Sequence, residues 1–430
     1  MVPDISRRAV LAGAGLAGLV GAVGVAPAEW LPEPVARERT ELRPVPEIDA
    51  YPPVSSEHEA AARDSLATTI DRAERAVERV PPDAEPPGIF DPESALRSAE
   101  GYAESARDAS GWQALADARL GAKFAGEAIG LSRVMTGDAS GEHLASQAEE
   151  IQAQIEKVRD DVSYAVDDAS AGLARLYWVE KLLALGHLNS YRDGTYVGQD
   201  EPSTTYDDRT TVSTWGNHLM ARRYADDAAR LLRDYRAGTT APTSLQSHVE
   251  AVEADLRAEA RGLTPDSTEF DRRNREIEAM DSGPFRRFSW QVFYARQNAD
   301  VRDPGGPWAG VPLHRAVKNA ETVLTCRGCF YARDETEFGP GGSVTGSMLA
   351  DAKRDALRRL TRYRQAARDR PLLLLMLREP RRLLWAGGED LDGATEREFP
   401  KAEAYAKYLR AVGYLRNVES VTSRIDRPER

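Results

Sequence analysis

The chain predicts an all-α fold, a bundle of roughly ten helices with long coiled-coil-like members. Three observations carry that expectation. Apolar residues recur at four-three spacing from about residue 56 nearly to the C-terminus. Pro- and Gly-rich breaks punctuate the periodic runs at 81–88, 137–141, 194–202, 238–242, 303–310 and 339–342. No pair of alternating runs joined by a hairpin turn is visible.

In chain order the first element is a targeting segment. A short polar start ends in Ser6-Arg7-Arg8-Ala9-Val10-Leu11, an Ala/Gly-rich apolar run follows to Val25, and Ala26-Pro27-Ala28 closes it. The paired arginines, modest hydrophobicity and small residues before a cleavage point after Ala28 resemble a twin-arginine translocation signal. Val10 and Ala12 depart from the usual pattern, which prefers Phe or Leu and often Lys at these places. The resemblance implies passage through the twin-arginine translocase as a partner during export, of cargo already folded in the cytoplasm. Residues 9–26 are barely long enough to span a bilayer, so an uncleaved signal would leave a membrane anchor. Residues 29–55 hold recurrent prolines with little apolar periodicity and read as a Pro-rich tether. The expected organisation is therefore a signal or anchor over 1–28, a tether over 29–55, a helical domain over 56–422 and a polar tail over 423–430.

Within the helical body, Leu66, Ile70, Ala73, Val77 and Val80 mark one stripe, with Ser55 or Ser56 as N-cap and Pro81-Pro82 as a stop. The longest signal runs from Leu144 through Ile151, Ile155, Val158, Val162, Ala169, Leu176 and Val179 to Leu183. Period 3.5 sustained over that length predicts one straight supercoiled helix of about 60 Å. Shorter seams occupy 245–263, 349–367 and 402–415, and the apolar run 371–377 reads as a buried core helix.

Composition bounds the function classes. With 57 basic and 69 acidic residues the chain carries a net charge of −12, which disfavours nonspecific nucleic-acid binding. Fifty of the basic residues are arginine, and alanine is abundant. This bias resembles proteins of halophilic archaea, whose acidic surfaces stay soluble in concentrated salt. Two cysteines exclude a disulfide framework, and no Asn-x-Ser/Thr acceptor is present.

The candidate sites are few. Cys326-Arg327-Gly328-Cys329 interrupts a helical run, lacks the βαβ setting of a redox motif, and has Phe330 where a haem site needs His. Its favoured reading is a local disulfide between Cys326 and Cys329 formed after export, ahead of inert thiols or a metal or redox role. The histidines at 58, 143, 187, 218, 248 and 314 form no HExxH pair and no Glu-x-x-His helical di-iron spacing, so neither a metal nor a cofactor is assigned. Two stretches thick in aromatic and polar residues would wall any ligand pocket, though ordinary packing where helices converge is the favoured reading: Tyr177, Trp178, Glu180, His187, Tyr191, Tyr196, Tyr206, Trp215, His218 and Tyr224 in one, Phe285, Phe288, Trp290, Phe293, Tyr294, Trp308 and His314 in the other. The Gly-rich run 339–347 lacks a nucleotide loop's Lys-Ser/Thr ending and reads as a connector with a capping Ser or Thr. Residues 353–382 carry eleven basic side chains against three acidic ones. Internal pairing with the acidic stretch 142–168 is favoured over lipid docking, so replacing Arg358, Arg362 and Arg368 with Ser is expected to lower thermal stability.

No catalytic residue is assigned. The leading expectation is an exported or surface-tethered noncatalytic protein acting through an unidentified protein or surface partner. A secreted all-helical toroid enzyme acting on carbohydrate is the first alternative, and a small-ligand or metal-binding module the second.

Overall fold

The computed structural model describes residues 44–86, 91–190, 208–391 and 398–428. The export signal with Arg7, Arg8 and Ala28, the break at 194–202, and Tyr191, Tyr196 and Tyr206 lie outside the described residues.

The fold is all-α. Helix α1 (Ser56–Val77) starts where a side chain can replace a missing helical partner, since Ser55 Oγ accepts from the His58 N–H. Asp91 caps α2 (Pro92–Asp108) in the same way. Helix α3 (Gly111–Thr136) ends at Gly137, whose φ of 74° suits a residue without Cβ. Ala73, Leu66, Ala99, Leu115 and Ala122 from these helices form a first core, closed from outside by Leu144 and Trp215. Helix α6 (Asp208–Ala237) crosses α3 at glycine. A Cβ on Gly126 would lie 2.7 Å from the Trp215 carbonyl oxygen, so the two backbones nearly touch.

The expected continuous helix over 144–183 is overturned. The chain forms α4 (Gly141–Asp160), breaks, and resumes as α5 (Ala169–Asn189). The residues between are Asp161-Val162-Ser163-Tyr164-Ala165-Val166-Asp167-Asp168, rich in types that lose little by leaving a helix. Tertiary bonds decide the outcome. Strand β1 (Ala165–Val166) pairs antiparallel with β2 (Thr243–Ser244), the Asp167 carboxylate accepts from the N–H groups of Thr240 and Ala241, and Asp168 caps α5. The heptad residues are still buried, but on two helices that fold back on one core: Ile151 and Ile155 on α4, Leu176 and Leu183 on α5.

Helices α7 (Gln246–Leu263), α9 (Pro284–Gln297), α10 (Pro312–Asp334), α11 (Gly346–Ala366), α12 (Pro371–Met376) and α13 (Arg378–Leu391) surround α14 (Glu398–Asp426), and α8 (Ser267–Glu278) packs on α9. The expected core helix at 371–377 is there, with Leu372, Leu373, Leu375 and Met376 buried. Each such side chain contributes roughly 1.5–3 kcal/mol relative to exposure. Gly328 on α10 brings that helix against α14, because a Cβ there would meet the Arg410 carbonyl oxygen at 2.7 Å. Thr345 caps α11 after the glycine run, as a connector requires.

Two expected boundaries move. Residues 44–55 are not a free tether: Ile48 is buried, the Trp178 indole N–H donates to Ala50 O at 3.0 Å, and Tyr51 stacks on Trp112. Arg378 lies over the Tyr51 ring, and Arg381 reaches Glu47 and Pro46 O, so the prolines hold this segment extended against the body. At the other end α14 runs past residue 422, burying Ile425 and Asp426. Arg370 grips the Asp426 carboxylate, which explains why the helix persists. Among the described residues no helix is long and apolar enough to cross a membrane.

Candidate functional site

Several sequence candidates resolve into packing. The two cysteines are free, buried thiols on α10, which continues through both. Burial pushes the Cys326 thiol up to about 12 and raises Cys329 as well, so neither is a reactive thiolate. The fold holds them as small apolar side chains in place of the expected local bridge. His58 meets Asp227 at 3.0 Å, and Arg119 and Arg223 complete a buried ionic cluster tying α1, α3 and α6 together. Burial alone would raise the Asp227 pKa, but the His58 hydrogen bond and the two arginines outweigh it and hold it low. Ser55 Oγ donates to Asp234 at 2.8 Å, away from the His58 ring, so this is no nucleophile–base pair. Burial also depresses His187 and His218 to about 4, and His314 lies well below its usual value. Among the described residues no group of three or more metal-ligating side chains is arranged to hold an ion.

His314 is sandwiched between Tyr177 and Trp308, with ring centroids 5.5 and 5.3 Å away. Its backbone N–H donates to Glu180 Oε2 at 2.5 Å, while the Tyr164 hydroxyl donates to Oε1. Glu180 is fully buried, which pushes its pKa up to about 7. The first aromatic stretch is thus core packing around a buried carboxyl whose ionisation is disfavoured. In the second stretch, Phe285, Phe288 and Phe293 do line a cavity of about 160 Å³ with Ile277, Cys329 and Phe330.

The basic stretch 353–382 pairs internally, though not with 142–168. Arg354, Arg358 and Arg359 bind Asp351 and Asp355 one turn away, while Arg370 and Arg381 bind Asp426 and Glu47. The acidic helix α4 has closer partners in Arg222 and its own Arg159. Arg358, Arg362 and Arg368 are exposed, so the expected stability loss on their removal does not follow.

The site that sequence reading missed lies where the C-terminal ends of α1 and α3 meet. Arg72 and Arg75 sit on α1 beside its buried stripe, Arg79 follows in the turn just past its end, and Arg133 faces them from the last turn of α3. Together with Ser132, Thr136 and Asp138 they line a groove of about 500 Å³. None of the four guanidinium groups forms an ion pair among the described residues. Trp215 lies between Arg133 and Arg72, at 4.8 and 5.7 Å from its ring centroid, with its buried indole N–H unpartnered. Burial and the charges of Arg133 and Arg222 lower the Arg72 pKa, so positive charge has accumulated here. Arg72 and Arg75 are about one turn apart along α1. Four planar donors in a row suit oxyanions, each taken by paired N–H···O bonds. The spacing of arginines three and four apart was the available signal.

The fold and this groove define an all-α protein with an arginine-lined groove. The model of a domain of unknown function, DUF8262, matches residues 57–247, and that of a second domain of unknown function, DUF8264, matches residues 242–427. No curated protein and no solved structure matches the chain. The two matched stretches meet at β2, which is bonded to β1, and they share one core through α5, α10 and α14. The Glu180–His314 and Ser170–Asp426 hydrogen bonds also cross between them.

Proposed function

We propose that this is an exported helical protein, tethered at or released from the cell surface, that works without catalysis by binding an anionic surface polymer. The groove formed by Arg72, Arg75, Arg79 and Arg133 carries this reading, because it concentrates unpaired guanidinium groups on a chain whose net charge is −12. The Ser6-Arg7-Arg8 signal supports export, and residues 44–55 set the exit point of the N-terminal segment on the body. In concentrated salt the Debye length shrinks to about 3 Å, so long-range steering fails and only direct guanidinium–oxyanion contact retains a polymer.

The test is retention on dextran sulfate beads in low salt and in about 1 M salt. The protein should bind in both, and Arg75→Gln/Arg79→Gln, exposed positions with no packing role, should elute early. Equal retention of the variant would remove the groove from the proposal. Unchanged localisation of an Arg7→Lys/Arg8→Lys chain would remove the twin-arginine route.

A further inference from the structure

A second cavity, far from the arginine groove in sequence, opens between α9, α10, α13 and α14. Its volume is about 450 Å³, within the range of small-molecule sites. Four of the five lining cations already have carboxylate partners: Arg302 with Asp300, Lys318 with Glu321, Arg382 with Glu379, and Lys407 with Asp390. Arg410 is the fifth. It is 8% exposed, lines the cavity, and forms no ion pair among the described residues. Its polar neighbour is the Cys329 thiol, which burial keeps protonated and which therefore cannot neutralise it. An arginine cannot shed its charge, so a buried guanidinium without a counter-ion carries an uncompensated desolvation cost. One turn along α14, the fully buried Tyr414 hydroxyl has no hydrogen-bond partner and feels the charges of Glu321 and Glu379. Arg410 is thus the lining cation without a carboxylate partner among the described residues, and the unpartnered Tyr414 hydroxyl lies one turn along, outside the lining.

The lining also restricts the ligand. Asp300, Glu321 and Glu379 face the cavity, so a doubly charged phosphate would meet three carboxylates while gaining one free cation. A singly charged carboxylate bearing hydroxyl or ammonium donors satisfies both sets. We infer that this cleft binds a small hydroxy- or amino-carboxylate, its carboxylate on Arg410 and its donors toward Glu321 and Glu379.

The experiment is calorimetric titration of the full chain with gluconate and with glutamine, beside glucose and inorganic phosphate. At about 10 mM, gluconate or glutamine should bind and glucose should not, since it lacks the carboxylate. Arg410→Gln should weaken binding by at least about tenfold, the loss expected for one charge-assisted contact. Should that variant fail to fold, Ala386→Trp, a half-buried wall position away from Arg410, fills the cleft and should abolish binding while the helical circular-dichroism signal stays native. The inference is overturned if neither carboxylate binds, if phosphate binds more tightly, or if Ala386→Trp binds as the native chain does. None of these outcomes depends on the arginine groove.

Discussion

Replacing Glu180 with Gln should change the pH dependence of stability in a calculable way. In the folded chain burial raises this carboxyl from 4.5 to about 7. Below pH 4.5 both folded and unfolded chains hold the proton, and the contribution of the neutral, bonded carboxyl is fully present. As pH rises toward 7 the unfolded chain ionises while the folded one does not, so stability is lost. Above 7 both ionise and the loss is complete, on the order of 3 kcal/mol. Gln never ionises, and its amide can serve both neighbours, accepting from the His314 N–H and donating to the Tyr164 oxygen. The variant should therefore gain on the native chain by about 2.5 kcal/mol between pH 5 and pH 8. Urea unfolding at several pH values in constant salt measures this, and the buried histidines cancel in the difference. A stability difference that stays flat across that range would refute the reasoning.

Three further outcomes are expected. Gly126→Ala places a methyl group 2.7 Å from the Trp215 carbonyl oxygen and should cost about 1–3 kcal/mol by forcing α3 from α6, read from urea midpoints. The Arg358→Ser/Arg362→Ser/Arg368→Ser chain should stay within about 0.5 kcal/mol of native stability, because these side chains face solvent and Arg358 pairs only with a helix neighbour; a large fall in melting temperature would contradict this. Cys326 and Cys329 should resist alkylation at pH 8 in the native protein and react together on unfolding, which mass spectrometry would follow.

Helix content, caps and core residues were legible because they are local. Ser55 caps α1, Leu372 to Met376 are buried, and Thr345 caps α11, each at a position its neighbours in sequence specify. The break at 161–168 was not legible. Its apolar residues keep the heptad register, and the bonds that unwind it come from residues 240–244. The segment 44–55 escaped for the same reason: its prolines announce extension, but the cover for Ile48 and Tyr51 comes from Trp112, Trp178 and Arg378. Of the groove, only the spacing of Arg72, Arg75 and Arg79 could be read; their approach to Arg133 depends on how α1 meets α3.

Taken alone, the sequence determined an all-α body, an acidic and arginine-rich charge balance, and the chain features on which the export proposal rests. These follow from composition and from periods of a few residues. Only the tertiary structure decided which charges remain unpaired. Arg358 and Arg410 look alike in the chain; one finds Asp355 a turn away, and the other is buried beside a neutral thiol. Pairing depends on which helices converge, and that is fixed by the joint packing of residues hundreds of positions apart.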